Sequence, residues 1–412
     1  MTKPYCSYLA LLAGFLAFSA PAMAKQHAPP APARDDMSVT PMPAGPPPTP
    51  DSPAGGSLVS QPPVLADETS YVLMDGTTGA ILAEAAPHLA VAPASLTKLM
   101  TAHITYRALH DGSLKLDQTV PVSPEAWKAG GSRMFLDPTS VVTVDQLLHG
   151  LIIESGNDAA VALAQQIAGS TTAFVQIMNK DAGTLGLTDT NYTNVTGLPD
   201  PALHTSAMDV AILTRVILKD EPEILNISKM QSYTYDNITQ ASWNPVLQHD
   251  PTVDGLKTGL TQESGHCIDA TAIRDNMRLI AVVMGGPTWA ASTAAIESLL
   301  DYGQAFFSDV TIAQTGQQID LLHSSALDSG VVPVGPGADL LVTLPKTAAK
   351  SVTHEITYST DLSHGVTKGE VLGTISYMAG GKTLGSVPAI ALSASKAATF
   401  TTKVKREIDR YL

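Results

Sequence analysis

Apolar residues along this chain change rhythm several times, and each change predicts an element. A short apolar run, Tyr71-Val72-Leu73-Met74, breaks at Asp75-Gly76-Thr77-Thr78-Gly79 and resumes at Ala80-Ile81-Leu82. Two extended runs around an Asp-Gly turn predict a β-hairpin. Pro93 then halts the extended chain, and Leu96, Leu99, Met100, Ile104 and Ala108 recur at helical intervals from Ser95 onward. Thr143-Val144-Asp145-Gln146 reads as a capping box that opens an apolar helix through Leu147, Leu148, Leu151 and Ile152. Ser155-Gly156-Asn157 interrupts it, and Asn157 or Asp158 is suited to cap a further helix over 159–168 that Gly169 ends. Residues 253–261, 268–272 and 278–284 are rich in β-formers and predict antiparallel strands. After Phe307 the segments 338–344, 354–359 and 369–378 are short and alternating, with turns at 361–363 and 380–382, which predicts an all-β module. Last, Phe400, Val404, Ile408 and Leu412 fall at four-residue intervals, with Lys403, Lys405, Arg406 and Arg410 elsewhere on the wheel. That is a basic amphipathic helix.

The first residues follow another logic. Lys3 precedes an apolar stretch over 8–18, and Ala22-Met23-Ala24 has the form of a cleavage site. Residues 1–24 therefore read as a secretory signal peptide, because the apolar run is too short to span a bilayer comfortably. Its removal takes Cys6 away and leaves Cys267 alone, so the exported chain rests on its core rather than on an internal disulfide. Residues 25–64 hold about a dozen of the 29 prolines and almost no large apolar side chains. Such a segment favours extended polyproline II and serves as a spacer that gives reach, or as a dispensable tail. What remains is long enough to bury a substantial core, most readily as two domains. A formal net charge of −14 argues against a nucleic-acid partner, which calls for a basic footprint. The 11 histidines show no metal-ligand spacing, so neither metal nor cofactor is expected.

Candidate chemistry sits where these elements meet. Ser95-Leu96-Thr97-Lys98 opens the first helix, Ser155-Gly156-Asn157 lies in the connection between two others, and Lys257-Thr258-Gly259 lies within a strand. A serine at a helix N-terminus faces unpaired N–H groups and the positive end of the macrodipole. Residues i and i+3 share a face, which brings Lys98 beside the Ser95 hydroxyl. No Ser-His-Asp arrangement is evident, so Lys98 is the candidate base, provided that burial or nearby cations lower its pKa. Ser155 is placed to relay a proton to a leaving group, and the Asn157 amide to bind a substrate backbone. Lys257 offers a cation to a carboxylate and lowers the Lys98 pKa further, while Thr258 offers the same carboxylate a hydroxyl. Gly259 lets a substrate backbone come close, and the N–H groups of Ser95 and Leu260 are the candidate oxyanion hole. Alone, each motif reads as ordinary structure: a helix cap and a surface lysine, a helix–helix turn, a strand with a solvated lysine. Together and in this order they match the known signature of penicillin-binding proteins and serine β-lactamases.

The surroundings of the motifs narrow this further. With Pro93-Ala94-Ser95-Leu96-Thr97-Lys98-Leu99-Met100, Gly131-Ser132-Arg133-Met134-Phe135-Leu136, Glu154-Ser155-Gly156-Asn157-Asp158-Ala159 and Val253-Asp254-Gly255-Leu256-Lys257-Thr258-Gly259, the chain from about Tyr71 to Ala394 resembles the D-alanyl-D-alanine carboxypeptidase family of low-molecular-mass penicillin-binding proteins. The resemblance implies that Ser95 is acylated with Lys98 as its base, and that Ser155, Asn157 and Lys257 complete the site. It implies an α+β fold: a catalytic domain over 65–308, with an antiparallel sheet flanked by helices and a helical subdomain, then a small all-β domain over 309–394. It further implies peptidoglycan stem peptides as substrates, β-lactams as covalent inhibitors and a periplasmic location. The helix over 395–412 would contact the outer face of the inner membrane, or dock on its own domain. Family members often have Asn-Arg-Asn before the third motif and a histidine after its glycine. Here Ser242-Trp243-Asn244 and Leu260 stand there instead, a departure that bears on substrate preference rather than on the reaction. A β-lactamase would place a water-activating glutamate in a Glu-x-x-Leu-Asn stretch, yet Leu225-Asn226 is preceded at that position by Pro222, between Glu221 and Glu223. A non-catalytic wall-binding protein would lose Ser95 or Lys98, and both are present.

Overall fold

The computed structural model describes residues 61–65, 70–139 and 141–411. The expected signal peptide and nearly all of the Pro-rich spacer lie outside them. The hairpin forms as expected, from β1 (Ser70–Asp75) and β2 (Ile81–Ala85). Its turn is held by the Asp75 carboxylate, whose Oδ1 accepts from the backbone N–H of Thr77 at 3.0 Å and of Thr78 at 2.7 Å. Three longer strands follow far along the chain: β3 (Val253–Thr261), β4 (Gly265–Arg274) and β5 (Met277–Gly286). The sheet order is β2-β1-β5-β4-β3, antiparallel throughout. That order leaves β3, which carries the third motif, at an open edge.

Both faces of this sheet are covered, which explains why its strands read as apolar runs rather than as alternating ones. Val72, Ile280 and Val282 face one core, and Leu73, Leu279, Ala281 and Val283 face another. The second core is closed by α5 (Trp289–Phe306). The first is shared with α1 (Thr97–His110), α2 (Val144–Ile152), α3 (Asn157–Ala168) and α4 (Ala207–Asp220). Its apolar spacing predicts an amphipathic α1, but the helix is buried almost all round, Lys98, Thr101, His103 and Thr105 included. A helix so enclosed must pair its polar groups internally.

The capping box at Thr143 is present in both directions: Gln146 N donates to Thr143 Oγ1, and Thr143 N to Gln146 Oε1. The cap expected from Asn157 or Asp158 is not. Gly156 holds the N-cap position of α3 without a side-chain bond, and Asp158, inside the first turn, accepts at Oδ1 from Ala159 N and Met134 N and at Oδ2 from Leu136 N, each at 3.0 Å. A crossing segment with two unpaired amides competes for the carboxylate, so Asp158 staples residues 134–136 to the helix. Gly169 ends α3 in the left-handed conformation, as the sequence predicts.

Strands Leu340–Pro345, Thr353–Tyr358 and Val371–Ala379 match the predicted all-β module, and the turn before Lys382 falls at Gly380-Gly381. Leu340–Pro345 pairs separately with Phe307–Ala313, while strands Asp320–His323, Val331–Pro336 and Lys382–Ala391 join Thr353–Tyr358 and Val371–Ala379 in a five-stranded sheet. Their sequence signal is weakened by Pro333, Pro336 and Pro388. Thr78 Oγ1 and Thr343 Oγ1, 2.6 Å apart, tie this module to the hairpin turn. The final helix is shorter than the expected 395–412. It spans Phe400–Tyr411, while Ser395–Lys396 pairs as a short strand with Gly365–Val366. Arg406 lies on the protein side: its guanidinium donates to Leu327 O at 2.8 Å and Asp328 O at 2.5 Å. Phe400, Val404 and Ile408 remain exposed. Among the described residues no helix is long and apolar enough to cross a membrane.

Candidate active site

Ser95 sits in a single 3-10 turn, Ala94–Leu96, that runs directly into α1. Two glycines make room for that turn. A Cβ on Gly197 would stand 1.8 Å from Ala94 O, and this glycine also has φ +84°. A Cβ on Gly259 would stand 2.9 Å from Pro93 O and 3.1 Å from Ser95 N. The expectation for Gly259 needs correcting here: the backbone that comes close is the chain's own serine turn. The glycine presses β3 against the nucleophile rather than simply opening space for substrate.

One turn into the helix, Lys98 Nζ lies 2.8 Å from Ser95 Oγ and donates to Thr196 O, also at 2.8 Å. Lys98 is fully buried. Burial first, and the Lys257 ammonium second, hold its pKa well below the ordinary lysine range, against a smaller opposing pull from Asp158. Neutral Lys98 turns the same 2.8 Å contact into an Oγ–H···Nζ hydrogen bond, the arrangement a general base needs. Lys257 reaches in from β3 and donates to Ser155 Oγ at 3.0 Å and Thr258 O at 3.1 Å. Burial alone pushes its pKa down to about 7. A ligand carboxylate would restore its charge.

Ser155 occupies a left-handed position, φ +59°, between α2 and α3, and Ser132 Oγ holds its carbonyl at 2.7 Å. Asn157 keeps one half of its amide free. Its Nδ2 is committed to Gly130 O at 2.5 Å, while its buried Oδ1 has no partner among the described residues. The atom offered to a ligand is therefore the acceptor, and the amide nitrogen braces residues 130–132. Thr258 is buried at the cleft wall, and Leu260, 46 % exposed, stands at its mouth.

The fold brings Ser95, Ser155, Thr258, Gly259 and Leu260 to the lining of a cleft of about 370 Å³, together with Trp243 and Trp289, while Lys98, Asn157 and Lys257 lie buried behind it, Lys98 against Ser95 Oγ and Lys257 against Ser155 Oγ. A motif search passes over Thr196, Gly130 and Gly197, since two act through carbonyls and one through having no side chain. Only Asn194 hints at the first: its Oδ1 accepts from Thr196 N at 3.1 Å and Gly197 N at 2.7 Å, an Asx turn whose catalytic bearing appears only in three dimensions. The glutamates flanking Pro222 point elsewhere. Glu221 Oε1 lies 2.8 Å from His103 Nδ1 and Glu223 Oε1 lies 2.5 Å from His110 Nε2, both against α1 and away from the cleft lining. A larger, mostly apolar cavity of about 690 Å³, with Glu125 and Lys128 in its lining, includes Thr196 but none of the motif residues. Among the described residues no His, Cys, Asp or Glu group is arranged to hold a metal ion.

A serine bonded to a buried lysine, with a second serine bonded to a second buried lysine and both set against the open edge of an antiparallel sheet, defines a serine acyl-transfer site of the penicillin-recognising class. The comparisons agree. Residues 57–288 match the family model described as D-alanyl-D-alanine carboxypeptidase, and residues 307–397 match that of the penicillin-binding protein 5 C-terminal domain. The chain is 34 % identical over 346 residues to D-alanyl-D-alanine carboxypeptidase DacA of Escherichia coli, covering 82 % of this chain and 86 % of that one. It is 38 % identical over 332 residues to DacA of Haemophilus influenzae, covering 79 % and 84 %. Among solved structures, penicillin binding protein 5 from Haemophilus influenzae superposes with a TM-score of 0.73 at 35 % identity, covering 82 % of this chain and 99 % of that one. The ampicillin-bound penicillin-binding protein D2 from Listeria monocytogenes superposes with a TM-score of 0.54 at 26 % identity, covering 59 % and 99 %. This chain belongs to the D-alanyl-D-alanine carboxypeptidase family.

Proposed function

We propose that this protein removes the terminal D-alanine from peptidoglycan stem peptides through an acyl ester on Ser95, and that penicillins are trapped on the same atom. The observation that carries the reading is the 2.8 Å contact between Ser95 Oγ and a fully buried Lys98 amine whose pKa burial holds well below the ordinary lysine range. The terminal carboxylate binds at Lys257 and Thr258. Ser95 Oγ attacks the carbonyl of the penultimate D-alanine and gives its proton to Lys98 Nζ. The resulting oxyanion is held by the N–H groups of Ser95 and Leu260. Collapse breaks the C–N bond as the proton passes from Lys98 by way of Ser155 Oγ to the leaving amine. Water then attacks the ester, with Lys98 again taking the proton, and frees the shortened peptide and Ser95.

This reading is preferred over a β-lactamase because Glu221 and Glu223 face His103 and His110, and no carboxylate lines the cleft. Mass spectrometry after penicillin treatment should show a persistent adduct on the peptide containing Ser95, and the untreated enzyme should release D-alanine from a pentapeptide. Rapid penicillin turnover without D-alanine release would reverse the assignment.

The same proposal places the mature protein in the periplasm, loosely held at the outer face of the inner membrane. Support comes from the signal-like residues 1–24 and from the stripe of Phe400, Val404 and Ile408, which are 81 %, 41 % and 54 % exposed. Arg406 docks on the β-domain, so fewer basic side chains remain for anionic lipid than the helical wheel counts. Binding to anionic vesicles should therefore be weak and fall as salt rises. Deleting residues 400–412 should abolish it without lowering activity on a soluble peptide. A mature protein that ignores such vesicles at low salt would be purely periplasmic.

A further inference from the structure

We infer that Trp243, Leu260 and Trp289 form an uncharged collar at the mouth of the cleft, selecting stem peptides whose side chain just before D-alanyl-D-alanine ends without a charge. An acylated amine or an amidated carboxyl would meet that requirement. The inference rests on the carboxypeptidase reading above and adds a substrate class to it. Two of these side chains stand out in the open, Trp243 at 48 % and Leu260 at 46 % exposure, although both are large and apolar. Apolar side chains gathered at the rim of a polar catalytic cleft mark a contact surface for ligand.

The backbone around Trp243 is anchored on both sides. Ser242 Oγ accepts from Asn244 N at 3.2 Å, Asn244 Oδ1 accepts from Val246 N at 3.1 Å, and Asn244 Nδ2 donates to Gly255 O at 3.4 Å. Trp243 N itself donates to Ile153 O at 3.4 Å. The polar neighbours are thus spent on holding the loop to β3, and the indole is left against the cleft. Across from it, Trp289 opens α5, its ring edge-on to His266 with centroids 4.8 Å apart, and His266 Nδ1 lies 3.1 Å from Gly286 O. Trp243, Leu260 and Trp289 at the mouth carry no charge, and the cation of the site, Lys257, lies buried behind Ser155. Arg133, in the segment that carries Gly131 and Ser132, is held 5.4 Å over the Phe135 ring.

Substrate direction follows from the edge position of β3. A peptide whose carboxylate lies at Lys257 and Thr258 and whose scissile carbonyl lies at Ser95 runs beside the strand toward Leu260. Its next side chain then leaves through the collar. Against these three side chains a charged end would lose water with no ionic partner among them, whereas an uncharged end gains apolar and aromatic contact. Of the three positions at which this sequence departs from the family pattern, Ser242, Trp243 and Leu260, the two with large apolar side chains belong to the collar.

Two probes with one backbone test this: Nα,Nε-diacetyl-lysyl-D-alanyl-D-alanine and Nα-acetyl-lysyl-D-alanyl-D-alanine, given to the mature protein at neutral pH. The diacetyl peptide should show a kcat/KM at least about tenfold higher, mostly through KM. In Trp243→Ala, and separately in Trp289→Ala, that ratio should fall toward one while penicillin still labels Ser95, which reports an intact site. A ratio near one in the wild type, or an unchanged ratio in both variants, overturns the collar. Should neither peptide be cleaved, the carboxypeptidase reading fails. The collar is then read from competition of the same peptides against penicillin labelling, where a tenfold difference supports it and equal inhibition overturns it.

Discussion

Ser95→Ala should yield a folded protein that takes no covalent label from a fluorescent penicillin and releases D-alanine at least about 10⁴-fold more slowly than the wild type. The large effect is expected because one oxygen carries the whole covalent pathway. The fold should tolerate the change, since Lys98 Nζ is the partner of Ser95 Oγ and retains its second bond to Thr196 O. Gly197 and Gly259 continue to pin the turn through backbone contacts that an alanine at position 95 does not touch. Thermal melting and labelling, measured on the same sample, separate loss of the nucleophile from loss of fold. A penicilloyl adduct on any other residue of the variant would sink the assignment.

The second large effect concerns the base. Lys98→Arg keeps a cation but gives up the ability to deprotonate, so acylation by penicillin should fall about 10³-fold. The pH profile of the wild type supplies the independent check. Because the Lys98 pKa is depressed, the neutral base dominates above it, and acylation should be lost as pH falls through that value. Lys257 acts in the opposite sense, since it binds the carboxylate only while protonated. Burial brings it down to about 7, and a bound carboxylate moves it back up, so binding should weaken on the alkaline side. A bell-shaped kcat/KM with Lys98 on the acid limb and Lys257 on the alkaline limb is the expected result. Near-normal acylation in Lys98→Arg, or a profile flat on the acid side, would show that Lys98 supplies charge alone.

Much of this site was legible in sequence because its determinants are local. The Asp75 turn, the Thr143–Gln146 capping box and the Gly169 stop each act within a few residues, and short-range hydrogen bonds fix them. Ser95 and Lys98 fall one helical turn apart, so their meeting needs no more than a helix. Other features were misread for one shared reason: a side chain able to bond nearby was claimed by a distant partner. Asp158 holds Met134 and Leu136 besides its own neighbour Ala159 N, and Asn157 spends its nitrogen on Gly130; Arg406, docked on Leu327 and Asp328, realises the second of the two alternatives for the final helix. Gly259 accommodates the serine turn of its own chain.

The sequence by itself determined the hairpin, the helices that carry the motifs, the candidate nucleophile with its base, and the family. Periodicity, capping and motif order are properties of neighbouring residues. Only the tertiary structure decided that Lys98 is buried enough for its pKa to fall well below the ordinary lysine range, that Lys257 lies close enough to help, and that Thr196 O receives the amine. It alone turned Glu221 and Glu223 away from the cleft and set Trp243 and Trp289 at its mouth. Burial, and the electrostatics that follow from it, depend on what packs against a residue from far along the chain. Spacing cannot report a dielectric.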